Sequence, residues 1–313
     1  MALTSISAAQ KARILAEALP FIRAFHASTL IIRFGGGAMA DPVLREGFAR
    51  DVALLRLVGM NPIIVHGGGW RIDELLRTME IPIREHRGMR MVDEPTMNVI
   101  EMVLGEINQD LVGLINKFGG KAVGLSGQDG RFIHARRMIL PRDEGAGTVP
   151  DLGFVGDVES IDLDVIQLLL SRGFIPVIMP IGVGSDGTAY HINSDIVAGQ
   201  LARALSAEKL ILMTNVPGIV DGDGRLAFVL TASDAEALLR KGAVPADVQP
   251  RLNAALAAVR EGVRSVHIID GGVPSALLLE VLTNSGVGTA LRSDTGPHFL
   301  ADSRSYFAAA VDS

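Results

Sequence analysis

Two short apolar runs, TLIIRF ending at residue 34 and NPIIVH ending at residue 66, each empty into three consecutive glycines and then into a helical pattern. Runs rich in β-branched residues without polar alternation predict strands buried on both faces, as in a parallel sheet. Helical periodicity follows over 42–58 and again over 70–79, so the chain opens in a βαβα rhythm with right-handed crossovers. A long helix is predicted over 95–118, and KAVGLSGQDG, residues 121–130, reads as a third strand ending in a polar turn. Over 131–158 the pattern changes to short alternating segments with Gly145, Gly147, Pro150 and Gly153, a β-hairpin excursion.

The α/β rhythm returns with a helix over 161–171, a strand over 174–179, a helix over 193–205 and a strand over 208–213. A turn at 220–224 follows, whose Asp-Gly pair favours a hairpin. Helices over 232–241 and 247–261, a strand over 265–269 and a helix over 273–283 complete the pattern, and the polar stretch after Thr289 reads as a loosely held tail. Ahead of the first strand, residues 7–26 place Ile14, Leu15, Ala18, Leu19, Ile22 and Phe25 on one stripe, an amphipathic helix with a kink expected at Pro20. That helix either covers the sheet or pairs with another subunit. The whole predicts an α/β fold with a parallel sheet and a lobe change near residue 200. Its divisions are an oligomerisation or regulatory helix over 1–28, an N-terminal lobe over 29–200 and a C-terminal lobe over 201–313.

Composition narrows the class of partner. With 313 residues, 48% hydrophobic and 20% charged, the chain has the material for a large core. A net charge of −6, with no basic cluster interleaved with aromatics, argues against nucleic acid and anionic membranes and for small molecules. The absence of cysteine excludes disulfides and thiol chemistry and fits a cytoplasmic protein, and no apolar run reaches membrane-spanning length.

The glycines carry the candidate chemistry. Gly35, Gly36 and Gly37, and likewise Gly67, Gly68 and Gly69, lack the side chains that would keep a polyphosphate from backbone N–H groups. One triplet is as easily a tight turn; two after matched strands favour a phosphate site. GVGSDG, with Gly182, Gly184 and Gly187, matches the dinucleotide fingerprint in letters. It follows Pro180 and runs into no helix, so a hairpin loop is the better reading. No Walker A sequence is present.

The series IIRFGGGAM, VHGGGWRID, HRGMRMVDE, GLSGQDG, GFVGDV, PVIMPIGVGSDG, YHINSDIVAGQLA, AEKLILMTNVPGI and VHIIDGGVPSALLLEVLTNSGVGT resembles the amino acid kinase family over nearly the whole chain. Within it, the similarity is to the branch that makes an acyl phosphate on the side-chain carboxylate of N-acetyl-L-glutamate for arginine biosynthesis. The resemblance implies a three-layer αβα sandwich around an open, mainly parallel central sheet, ATP as donor, Mg²⁺ bound through its phosphates and no protein-held metal. It places the acyl amino acid in the N-terminal lobe and the nucleotide in the C-terminal one. Gly35 and Gly36 would face the nucleotide phosphates, with Thr214 to Gly218 at its border. Gly67, Gly68 and Gly69 would face the transferring phosphoryl group and the acceptor. Arg90 would clamp the α-carboxylate, His191 and Asn193 would bind the acceptor, and Asp195 would organise two cationic stabilisers, Arg33 and Arg251. The N-terminal helix resembles that of the arginine-inhibited branch, a homo-oligomer up to a trimer of dimers, with Glu280 and Gly286 at the effector site.

The same comparison exposes departures. The family pattern has lysine where this chain has Arg33 and Arg251, and asparagine at His191. Val92 replaces a threonine, Gly37 a polar residue, Gln128 a lysine and Gly272 an arginine. Trp70 with Arg71, and the run Ala246, Asp247, Val248, also differ from the pattern. Arginine and lysine are not equivalent at a tightly built site, and only five of the 29 basic residues here are lysine. Two alternatives follow: an impaired relative that binds arginine or an acyl amino acid as a regulatory module, or a kinase for another carboxylate. Read alone, Asp195 is either a site residue or a helix cap.

Overall fold

The computed structural model describes residues 7–86, 88–140, 151–220, 224–246, 248–284 and 286–294. Helix α1 (Ala8–Phe25) leads, capped by Ser7, whose hydroxyl accepts the Gln10 N–H. Strand β1 (Thr29–Phe34), helices α2 (Gly37–Ala40) and α3 (Pro42–Leu57), strand β2 (Asn61–His66) and helix α4 (Gly69–Thr78) come next. A two-residue hairpin pair, β3 (Glu85–His86) and β4 (Met89–Arg90), precedes the long helix α5 (Glu94–Lys117). Strands β5 (Ala122–Ser126), β6 (Ile133–Arg137) and β7 (Gly156–Ile161), helix α6 (Asp164–Ser171) and strands β8 (Ile175–Met179), β9 (Ile181–Val183) and β10 (Ala189–His191) follow. The remainder runs α7 (Ser194–Ala204), β11 (Lys209–Thr214), β12 (Val229–Thr231), α8 (Ala232–Arg240), α9 (Gln249–Arg260), β13 (Val266–Asp270), α10 (Ala276–Leu282) and β14 (Gly288–Arg292).

Eight strands form one open sheet in the order β12-β14-β13-β11-β1-β2-β8-β5, and only the β13–β14 pairing is antiparallel. Strand β1 lies near its middle and is buried on both faces, which its unbroken apolar run requires. Leu30, Ile32 and Phe34 join a core with Phe48, Val52, Ile100 and Leu104 of α3 and α5. Ile31 joins the opposite core with Val197, Leu201, Leu252 and Leu256 of α7 and α9. Each such side chain contributes roughly 1.5–3 kcal/mol on burial. This is the expected three-layer sandwich, and the alternation has a further consequence: Arg33, two residues from Ile31, projects toward α7.

A second sheet, β10-β9-β6-β7, replaces the simple hairpin expected over 131–158. Strands β6 and β7 do pair antiparallel, and β9–β10 is the hairpin that GVGSDG suggested. Residues 141–150, including Gly145, Gly147 and Pro150, lie outside the described residues, as do 221–223 of the expected turn, where Val220 bridges Leu226. Part of the stretch read as a tail belongs to the sheet, since residues 290–292 lie in β14. Thr289 belongs to β14, whose backbone pairs with β13 and β12, and residues 295–313 lie outside the described residues.

Helix α1 continues across Pro20 and has no buried residue; Ile14, Leu15 and Leu19 are 55%, 72% and 56% exposed. Among the described residues no helix is long and apolar enough to cross a membrane.

Candidate active site

The two glycine triplets start side by side. β1 and β2 pair in parallel with Phe34 opposite His66, and the Gly67 N–H donates to the Phe34 carbonyl at 2.9 Å. Both triplets line one cavity of about 460 Å³ together with Arg33, Trp70, Arg90, His191, Asn193 and Asn215. Helix α4 opens on this cavity with Gly68 as its N-cap, so its first-turn N–H groups and positive end face the space.

The glycines are needed for different reasons. A Cβ on Gly35 would overlap the Arg33 guanidinium. Gly36 has φ of +74°, and a Cβ there would overlap the Asn215 side chain, whose Oδ1 accepts the Gly37 N–H at 2.6 Å. A Cβ on Gly68 would press on Leu104 and Ile107 of α5, so this glycine also allows close packing of α4 on α5. Beside Gly69 the space is open.

Arg33 is held from three sides. Its Nε lies 2.7 Å from Asp195 Oδ1 and 3.1 Å from Ser194 Oγ, and Nη1 donates to the Met213 carbonyl at 3.2 Å. The Arg33 and Asp195 side chains are each 12% exposed. Nη2 is the guanidinium atom nearest Gly67, 3.8 Å from where a Cβ there would sit, so the cation stands between the two loops. Asp195 does not cap α7; Asn193 does, accepting the Asp195 N–H at 2.8 Å. That capping leaves the Asp195 carboxylate, in the same first turn, free for Arg33.

Arg90 of β4 borders the other side, with Nη2 donating to Asp73 Oδ1 at 2.5 Å. Beside it, His191 is pushed down to about 4 by burial and by the positive charge of Arg90, so its imidazole is neutral at physiological pH. His66 lies fully buried behind the second triplet. Burial also lowers it to about 4, and Nδ1 donates to the Gly67 carbonyl at 2.8 Å while Nε2 accepts from Asn108 at 3.1 Å.

Thr214, Gly218 and Arg251 do not line the cavity, and neither does Asp195, which meets it only through Arg33. Thr214 is buried behind Asn215, its hydroxyl donating to the Ile269 carbonyl at 3.3 Å. Gly218, with φ of +140°, packs against Thr289. Arg251 lies half-buried in the first turn of α9. Of the departures, Arg33, Gly37, Trp70 and His191 line the cavity. Val92 is buried, Arg71 makes surface ion pairs with Glu74 and Glu106, and Gln128 and Gly272 sit in turns elsewhere. Asp247 lies outside the described residues.

Sequence reasoning did not single out Asp73, Ser194 or Asn215. The one available signal was for Asn215, which directly follows the buried strand β11 next to β1 and falls within the Thr214 to Gly218 stretch.

Glu280 and Gly286 meet apart from the cavity. Glu280 accepts from His267 Nδ1 at 2.5 Å and from the Val287 N–H at 2.8 Å, with Gly286 against its Oε2. Burial and the nearby Lys209 charge push His267 down to about 4. The neutral ring therefore donates to an ionised Glu280, and its Nε2 accepts from Lys209 at 3.2 Å. Burial also lowers Lys209, to about 8, and its ammonium stands 4.9 Å over the Phe25 ring of α1.

An open, mainly parallel sheet with two glycine loops sharing one cavity at neighbouring strand tips is the frame of a phosphotransferase of the Amino acid kinase family, whose sequence profile matches residues 28–270, and the chain belongs to that family. It is 52% identical over 292 residues to the acetylglutamate kinase of Polynucleobacter asymbioticus, covering 93% of this chain and 97% of that one. It is 53% identical over 290 residues to the acetylglutamate kinase of Methylobacillus flagellatus, covering 92% and 99%. Among solved structures, N-acetylglutamate synthase from Neisseria gonorrhoeae, complexed with coenzyme A and N-acetyl-glutamate, superposes with a TM-score of 0.80 at 25% identity. The match covers 91% of this chain, which spans 64% of the synthase. Carbamate kinase from Giardia lamblia bound to AMP-PNP shares the fold at a TM-score of 0.62 and 17% identity, covering 86% of this chain and 99% of that one.

Proposed function

We propose that this chain is an ATP-dependent kinase for the side-chain carboxylate of N-acetyl-L-glutamate, acting in arginine biosynthesis. The observation that carries the reading is the Arg33 guanidinium, oriented by Asp195 and Ser194 between two glycine loops that share one cavity. An oxygen of the acceptor's side-chain carboxylate attacks the γ-phosphorus, the bond from that phosphorus to the β,γ-bridging oxygen breaks, and ADP leaves. The carboxylate is already ionised at neutral pH, so no general base is needed. What the reaction requires is alignment and neutralisation of charge on the moving group.

Arg33 supplies a fixed cation, and Arg251, in the first turn of α9, would be the second. Gly35 and Gly36 receive the nucleotide phosphates, with Thr214 and Gly218 shaping the strand end behind them. Gly67 to Gly69 and the start of α4 receive the transferring group. Arg90 takes the α-carboxylate, and His191 and Asn193 border the acceptor. The lobes divide near residue 200, although one sheet runs through both. Among the described residues no group of three or more His, Asp or Glu could hold a metal. Mg²⁺ would be held by nucleotide oxygens, where it would supply charge neutralisation.

We also assign Glu280 and Gly286 to an arginine effector site. An ionised, buried carboxylate is a fitting partner for a guanidinium, and Phe25 brings α1 to its neighbour Lys209. The uncovered apolar stripe of α1 supports its use as a contact between subunits of a cytoplasmic homo-oligomer.

The test is ADP release coupled to trapping of the acyl phosphate with hydroxylamine. N-Acetyl-L-glutamate with Mg-ATP is expected to give hydroxamate in step with ADP. No hydroxamate from any acylated acidic amino acid would overturn the reading.

A further inference from the structure

The two arginines that border the cavity are built alike: each is backed by a carboxylate and keeps a guanidinium nitrogen out of that pairing. For Arg33 the backing group is Asp195. For Arg90 it is Asp73, on α4, one helical turn past Gly69 and therefore on the face of the helix that begins at the second glycine triplet. Asp73 itself does not line the cavity; its neighbour Ile72 does.

The pairing is one-sided. Asp73 Oδ1 takes Nη2 at 2.5 Å, whereas Nη1 of Arg90 is buried and has no hydrogen-bond partner among the described residues. A buried donor left unsatisfied is costly and uncommon, and at a cavity wall the ordinary reason is a ligand that completes it. Arg90 has little else to set its direction, since β4 is a two-residue strand paired only with β3. The more rigid partner is α4, anchored by the close approach of Gly68 to Leu104 and Ile107. Arg71 in the same helix shows what a merely structural pair looks like: its bonds to Glu74 and Glu106 lie on the surface, away from the site.

We infer that Asp73 is a positioning residue for acceptor recognition: by holding Nη2 it turns Arg90 so that Nη1 meets the α-carboxylate of the acceptor. This rests on the assignment of Arg90 to that carboxylate. A guanidinium aimed in advance at an anion loses less freedom on binding it, so the contribution falls on selectivity for a charged α-group rather than on phosphoryl transfer.

The experiment compares kcat/KM for N-acetyl-L-glutamate with that for its α-carboxamide, which keeps the reacting side-chain carboxylate. The wild type is expected to prefer the free acid by about 100-fold or more. In Asp73→Ala that preference falls to about 10-fold or less, through a KM for the acid raised about 10-fold, while KM for ATP stays within about twofold. Asp73→Asn, which keeps an oxygen for Nη2 and changes shape least, falls between the two and carries the test should Asp73→Ala fail to fold. An unchanged preference in both Asp73 variants, with Arg90→Ala abolishing it, overturns the positioning role alone. An unchanged preference in Arg90→Ala removes the assignment of Arg90 and this inference with it.

Discussion

Arg33→Ala is expected to lower kcat by about 100- to 1,000-fold, the cost typical of removing one oriented donor from a developing transition-state charge. Arg33 is built to act at that stage. Three bonds to Asp195, Ser194 and Met213 fix the guanidinium before any ligand arrives, so no reorganisation is needed when charge builds on the moving phosphoryl group. The acceptor's KM should change much less, because its α-carboxylate is held at Arg90. Steady-state kinetics with both substrates, alongside a thermal melt, checks this. A variant within about fivefold of wild-type kcat would mean that the cation does not face the reacting atoms.

The second large effect is expected from Gly36→Val. At φ of +74° a β-branched residue is a strained outlier, and its Cβ would also overlap Asn215. Relief requires the loop to turn, which breaks the bond from the Gly37 N–H to Asn215 and removes the aligned donors at the end of β1. We expect kcat/KM for ATP to fall about 100-fold or more. Acceptor binding, measured by calorimetry, should hold within about threefold, because the second triplet starts from a different strand. Equal loss of both would mean the substitution unfolds the sheet end rather than the phosphate loop.

The buried strands were legible because their sequences admit little else: TLIIRF and NPIIVH have no polar face to turn to water, and each stops at a glycine triplet. Their adjacency followed from the βαβ rule, and with it the shared hollow. What stayed hidden depends on partners remote in the chain. Strand β14 is five residues long beside a polar stretch, and only β13 and β12 give it a ladder. The small sheet needs β6 beside β9, about fifty residues apart, so its hairpins alone were visible. The same holds in the site. Ser194 reaches Arg33 across 161 residues and Asn215 reaches Gly37 across 178, distances over which no local pattern carries information. Gly68 looked like its neighbours in sequence, and only the position of α5 reveals its packing role.

The departures from the family pattern also divide by place. Arg71 and Val92 have local reasons, a surface ion-pair cluster and a buried bridge to Gly153. Trp70, His191 and Arg33 face the cavity and are where a change of acceptor or rate would originate. Nothing in the structure explains Gln128 or Gly272.

The most direct measurement is a crystal structure of the chain with Mg²⁺, a non-hydrolysable ATP analogue and N-acetyl-L-glutamate. The γ-phosphoryl group should lie between Gly35–Gly37 and Gly67–Gly69 within hydrogen-bond reach of the Arg33 guanidinium, with the acceptor's side-chain carboxylate facing it. Terminal phosphate bound outside that cavity, or an acceptor that does not share it, would contradict the account.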